Sequence, residues 1–118
     1  MLPTMLPLRQ HFVDDSLPDI SDAIRRQIDA LDLRGAFPLG SEVAIAVGSR
    51  GVSPLQIVVR TIVAAVRDLG LSPFIVPAMG SHGGGTAEGQ EAVLAGYGID
   101  IAGVGAPVRS SMATVELG

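Results

Sequence analysis

Two short stretches carry residue types able to do chemistry: Gly48-Ser49-Arg50-Gly51 and Gly80-Ser81-His82-Gly83-Gly84-Gly85. In the second, His82 offers an imidazole that can take a proton near neutral pH, which is what a general base requires. A loop so rich in glycine rarely needs a ring for packing, which favours chemistry over a histidine that only bonds its own loop. In the first, Arg50 offers a planar fork of donors matched to a carboxylate or a phosphate. Its bland alternative is a surface arginine capping a strand end, but the flanking Gly48 and Gly51 point to close approach of a ligand or backbone. A base and an anion grip together imply a small anionic ligand.

Other chemistries fit less well. The spacing of Gly80, Gly83, Gly84 and Gly85 never gives G-x-G-x-x-G, so the dinucleotide fingerprint is missing. Ser81 beside His82 does not make a hydrolytic pair, because adjacent residues seldom align hydroxyl and imidazole and G-x-S-x-G is absent. His11 lies in an irregular lead-in, and Met79 reads as packing. Glu88 and Glu91 fall in the first turns of a helix, where the dipole accounts for them. Arg109-Ser110-Ser111 reads as a polar loop rather than an anion site.

The elements around the two loops set where these side chains meet. Val43-Ala44-Ile45-Ala46-Val47 is apolar without alternation, the pattern of a central strand buried on both faces. Ser53-Pro54-Leu55-Gln56 then predicts a helix start with a capping serine, proline at the first position and glutamine bonding back. Leu55, Val58, Val59, Ile62, Val66 and Leu69 keep helical spacing until Gly70. Phe74-Ile75-Val76 follows as a short strand, and Thr86 caps a helix that ends near Gly96 or Gly98. Strand, helix and strand make a βαβ unit with two adjacent parallel strands.

Upstream, Pro18 opens an amphipathic helix to about Leu33, with Ile20, Ile24, Ile28 and Leu31 on one face and Gly35 closing it. Downstream, Ala113 to Leu117 is expected as one more strand. The fold class is therefore α/β, a three-layer, mostly parallel Rossmann-like sheet with βαβ units, incomplete at its C-terminal end. Residues 1–16 are an irregular lead-in and 17–118 a single domain. Ligands of such sheets bind beyond the carboxyl ends of the strands, which places Arg50 and His82 within one or two strand spacings of about 5 Å. Helix amino termini near Ser53 and Thr86 are expected to point at the same place and favour an anion.

Composition narrows the class. The chain has 118 residues, 47% apolar and 3% aromatic, enough for one aliphatic core. A net charge of −4 without a basic patch argues against nucleic acid. The start has neither the apolar run of a signal peptide nor that of a membrane span, and there is no cysteine, so a soluble cytoplasmic protein is expected. All eight basic side chains are arginine; without lysine, no Walker A loop or Schiff base can arise from these residues.

Four segments together resemble a known family. Val47-Gly48-Ser49-Arg50-Gly51, Val76 to Gly84 (Val-Pro-Ala-Met-Gly-Ser-His-Gly-Gly), Thr86-Ala87-Glu88-Gly89-Gln90 and Pro107-Val108-Arg109-Ser110-Ser111-Met112 are similar to the amino-terminal domain of nickel-dependent lactate racemase-like proteins. The resemblance covers nearly the whole chain, and its middle stretch is the specific part. It implies a two-domain 2-hydroxyacid racemase with a nickel-pincer nucleotide, bound in the family through its phosphate and a lysine thioamide. By the same resemblance His82 is the first of two catalytic histidines, taking the hydroxyl proton while hydride passes to the cofactor. Arg50 becomes the grip on the substrate carboxylate, and Gly48, Ser49, Gly51, Gly80, Ser81, Gly83 and Gly84 the cofactor contacts.

The sequence departs from the family in informative places. Ala46 and Val47 stand where the family has two acids, Gly51 replaces a proline, and Gly83 replaces the arginine after the histidine. A divergent branch acting on another hydroxy acid is therefore expected. The anchoring lysine, second catalytic histidine and nickel-ligating histidine have no counterpart here, so this chain is expected to be inactive alone, to bind no cofactor covalently, and to need a carboxyl-terminal domain; a sheet edge and apolar helix faces left uncovered make self-association as a homo-oligomer a further expectation. The alternative is a free-standing α/β module that binds a small anion or nucleotide without catalysis.

Overall fold

A computed structural model describes residues 6–50 and 52–117. Residues 6–19 contain no helix or strand, and α1 then spans Ile20–Ala30. Asp19, not Pro18, sets its start: the Asp19 carboxylate accepts the backbone N–H of Asp22 at 2.8 Å, leaving Pro18 outside the helix. Ile20, Ile24 and Ile28 are half-buried as the periodicity predicts, but Leu31 lies beyond the last turn and is 64% exposed. Ser21 and Thr61 share a 3.0 Å hydroxyl hydrogen bond that joins α1 to the next helix.

Strand β1 (Glu42–Val47) and strand β2 (Ser72–Pro77) pair in parallel, with Val47 opposite Pro77, and helix α2 (Leu55–Asp68) connects them. This is the predicted βαβ connection in a mixed α/β unit. Burial of β1 contradicts the sequence expectation, however. Its residues alternate, with Ala44 and Ala46 exposed and Val47 buried, so one face is open. The expectation failed because small apolar alanines do not distinguish a covered face from an open one.

The start of α2 also differs. Ser53 is not its cap; Pro54 occupies that position without a side-chain bond, and the Gln56 amide donates instead to the Gly98 carbonyl at 2.9 Å. A distant carbonyl thus claims the group that the capping pattern assigned locally. Helix α3 (Ala87–Gly96) begins as expected, with Thr86 Oγ1 accepting the Gly89 N–H at 3.0 Å, and a short helix α4 (Ile101–Val104) follows.

The strand expected at Ala113 to Leu117 does not form; Ala113 to Leu117 are exposed coil. The chain meets the sheet earlier, where Ile75 N–H donates to Pro107 O and Arg109 N–H to Ile75 O, both at 2.8 Å, bridging Val108 to β2. Arg109 is held there by Glu42 at 2.5 Å and lies over the Phe74 ring, 4.2 Å from its centroid. The core gathers Val47 and Ile75 from the sheet, Val59 and Val63 from α2, Leu94 from α3, and Met79, Ile99, Val104 and Ala106. No helix among the described residues is long and apolar enough to cross a membrane.

Candidate functional site

Parallel pairing brings the ends of β1 and β2 side by side, and Ala78 N–H donates to Val47 O at 2.8 Å just past the last paired residues. The chain leaves both strands into loops that enclose a cleft of about 490 Å³, formed by Gly48, Ser49 and Arg50 on one side and Ala78 to His82 on the other. Gly48, Ser49, Arg50, Gly80, Ser81 and His82 from the sequence analysis therefore share one cleft. Gly83 and Gly84 lie in the tight turn that follows His82 and do not line it, and Gly51 lies outside the described residues.

The imidazole of His82 is bonded at both ring nitrogens. Its Nδ1 lies 2.6 Å from Ser49 Oγ and its Nε2 lies 2.7 Å from Arg50 Nη2. A guanidinium can only donate, so Nε2 accepts, Nδ1 carries the proton, and Nδ1–H donates to Ser49 Oγ. The ring is thus neutral in this arrangement, with its basic lone pair turned toward Arg50. His82 is half-buried and Arg50 exposed. Among the described residues, Arg25, Arg26 and Arg109 each pair with a carboxylate, whereas Arg50, like Arg9, Arg34, Arg60 and Arg67, has none within ion-pair distance.

Two side chains that sequence reasoning did not single out hold these loops. Tyr97 Oη, at the end of α3, donates to the Ser49 carbonyl at 3.1 Å, and the buried Gln90 amide of α3 donates to the Gly80 carbonyl at 2.7 Å. The one hint available was that Tyr97 is the only tyrosine of the chain. The position of Gly83 has a packing cause: its φ is +64°, and a Cβ there would sit 2.3 Å from the carbonyl carbon of Gly89. Thr86 Oγ1 also donates to Gly83 O at 3.2 Å, closing the turn onto α3.

The expected anion-binding helix ends do not take part. Neither Ser53 nor Thr86 lines the cleft; the His82–Gly85 turn intervenes before α3, and the Thr86 hydroxyl accepts the N–H of Gly89 in the first turn of that helix. Arg109, pinned to Glu42, is likewise absent from the cleft lining. Among the described residues no three His, Cys, Asp or Glu side chains gather where a metal could be held. No family model, curated protein or solved structure matches the chain.

Proposed function

We propose that this chain supplies the substrate-gripping half of a site for a small 2-hydroxycarboxylate, in the manner of the lactate racemase-like family that its loops resemble. The observation that carries this reading is the Ser49–His82–Arg50 array in one cleft: an oriented neutral imidazole beside a guanidinium that has no carboxylate partner among the described residues. Arg50 holds the carboxylate, the adjacent hydroxyl faces His82 Nε2, and its proton passes to that nitrogen. Ser49 keeps the ring in the tautomer that this transfer needs. The β1–β2 pair, extended at Val108, is in this reading the seed of a three-layer Rossmann-like sheet, and the chain is the amino-terminal domain of a larger cytoplasmic enzyme.

The nickel-pincer nucleotide that the resemblance implies does not fit the residues of this chain. There is no lysine to form the thioamide, and no three-donor group among the described residues to hold the metal. What these residues contribute is binding and proton transfer, and the chain by itself is not expected to racemise. The same observation favours a second reading, a non-catalytic module for a small anion or nucleotide. Calorimetric titration with 2-hydroxy acids, inorganic phosphate and nucleotides separates the two. The proposal expects heat with a hydroxy acid that is lost in Arg50→Ala; preference for phosphate or nucleotide supports the module, and silence across the panel refutes both.

A further inference from the structure

The nitrogen that a base must use is the one Arg50 occupies. With Nδ1–H given to Ser49, the only lone pair of His82 is at Nε2, 2.7 Å from Arg50 Nη2. A neutral imidazole is a weaker partner for a guanidinium than a carboxylate, which adds the attraction of a full negative charge and can take two parallel N–H···O bonds where the ring offers one lone pair. Arg50 is exposed and sits on a loop, so its guanidinium can exchange one partner for the other.

We infer that Arg50 is a displaceable cover over His82: a carboxylate entering the cleft takes the guanidinium from the imidazole, and the base is free only once the anion is seated. This rests on the anion-binding reading above. It adds a selection rule, because a ligand with a hydroxyl next to its carboxylate replaces both halves of the broken bond, anion to Arg50 and O–H to Nε2. A carboxylate without a hydroxyl uncovers the ring and leaves Nε2 to water. Such coupling protects a solitary base from acting on whatever neutral molecule enters.

The test uses the ¹⁵N-labelled chain, with acetate as a probe that has a carboxylate and no hydroxyl. At low temperature, where guanidinium protons exchange slowly, the nitrogen–nitrogen scalar coupling across the Arg50–His82 bond is followed together with the Nε2 resonance. The inference expects the coupling in the free chain, its loss at saturating acetate, and movement of Nε2 toward its position in Arg50→Ala. His11, in the lead-in, should not move. If calorimetry shows acetate bound while the coupling persists, displacement is wrong and the anion site stands. If acetate does not bind, the anion-binding reading fails and takes the inference with it. If Arg50→Ala leaves Nε2 where it is in the unsubstituted chain, Arg50 never covered the ring.

Discussion

Gly83→Ala and Gly84→Ala form a matched pair that measures how the histidine loop is held against α3. Both glycines have left-handed backbone, φ +64° and +69°, so alanine at either position meets a conformational cost of about 1–2 kcal/mol. Reduced freedom of the unfolded chain offsets about 0.4–1 kcal/mol of that. Gly84 has open space, with nothing within 4 Å of a new Cβ, so its net loss should be about 0–1.6 kcal/mol. At Gly83 the same methyl would lie 2.3 Å from the Gly89 carbonyl carbon and 2.5 Å from Gln90 N, both backbone atoms that cannot rotate away.

Overpacking of this kind costs about 1–3 kcal/mol more, so Gly83→Ala should lose about 1–4.6 kcal/mol in all. Urea unfolding of both variants, with m-values compared, gives the difference directly. Gly83→Ala should also shift His82 and Ser49 in NMR spectra, because the turn that starts at His82 must move. Equal losses for the two variants would mean that the Gly83–Gly89 approach does not fix the loop, and the packing argument for Gly83 would be wrong.

Two further predictions concern the frame around the site. Leu94 is fully buried in the core, so Leu94→Ala should destabilise by about 2–5 kcal/mol in urea unfolding, and a loss below about 1 kcal/mol would contradict its place there. The hydrogen bond from Arg109, reinforced by its charge, holds the Glu42 carboxyl below its ordinary value of 4.5. A lowered carboxylate value adds stability that is present above about pH 4.5 and fades as pH falls through the lower folded value. The stability difference between the chain and Glu42→Gln should therefore shrink between pH 6 and pH 3, and a constant difference would show that the pair contributes nothing.

The parts of this fold visible in the sequence were those decided locally. Thr86 caps α3 with its own hydroxyl, the apolar spacing of α2 is self-contained, and a helix of that length between two short apolar segments leaves parallel pairing as the simple solution. Arg50 and His82 were brought to one edge by that topology alone. What stayed hidden depends on groups far apart in sequence. Gln56 was assigned to its own helix start but bonds to Gly98, and Tyr97 reaches Ser49 across 48 positions. The resemblance groups Ser49 with the glycines as a cofactor contact, and only the side-chain direction after β1 reveals that its hydroxyl orients His82. The isolated bridge to β2 forms at Val108 rather than within 113–117, beside an Arg109 held by Glu42 and Phe74, an arrangement that no local pattern encodes.

The two partners of the imidazole are consecutive residues, both on the segment that leaves β1, while the ring belongs to the segment that leaves β2. Its orientation is therefore a report on strand alignment. Sliding β1 by one residue would move Ser49 and Arg50 by about 3.3 Å and turn alternate side chains to the opposite face, breaking both bonds at once. A partly folded chain with all its helices but an unaligned sheet would carry a histidine with neither nitrogen engaged. The ring resonances of His82 would then mark the moment in folding when the two strands find their register.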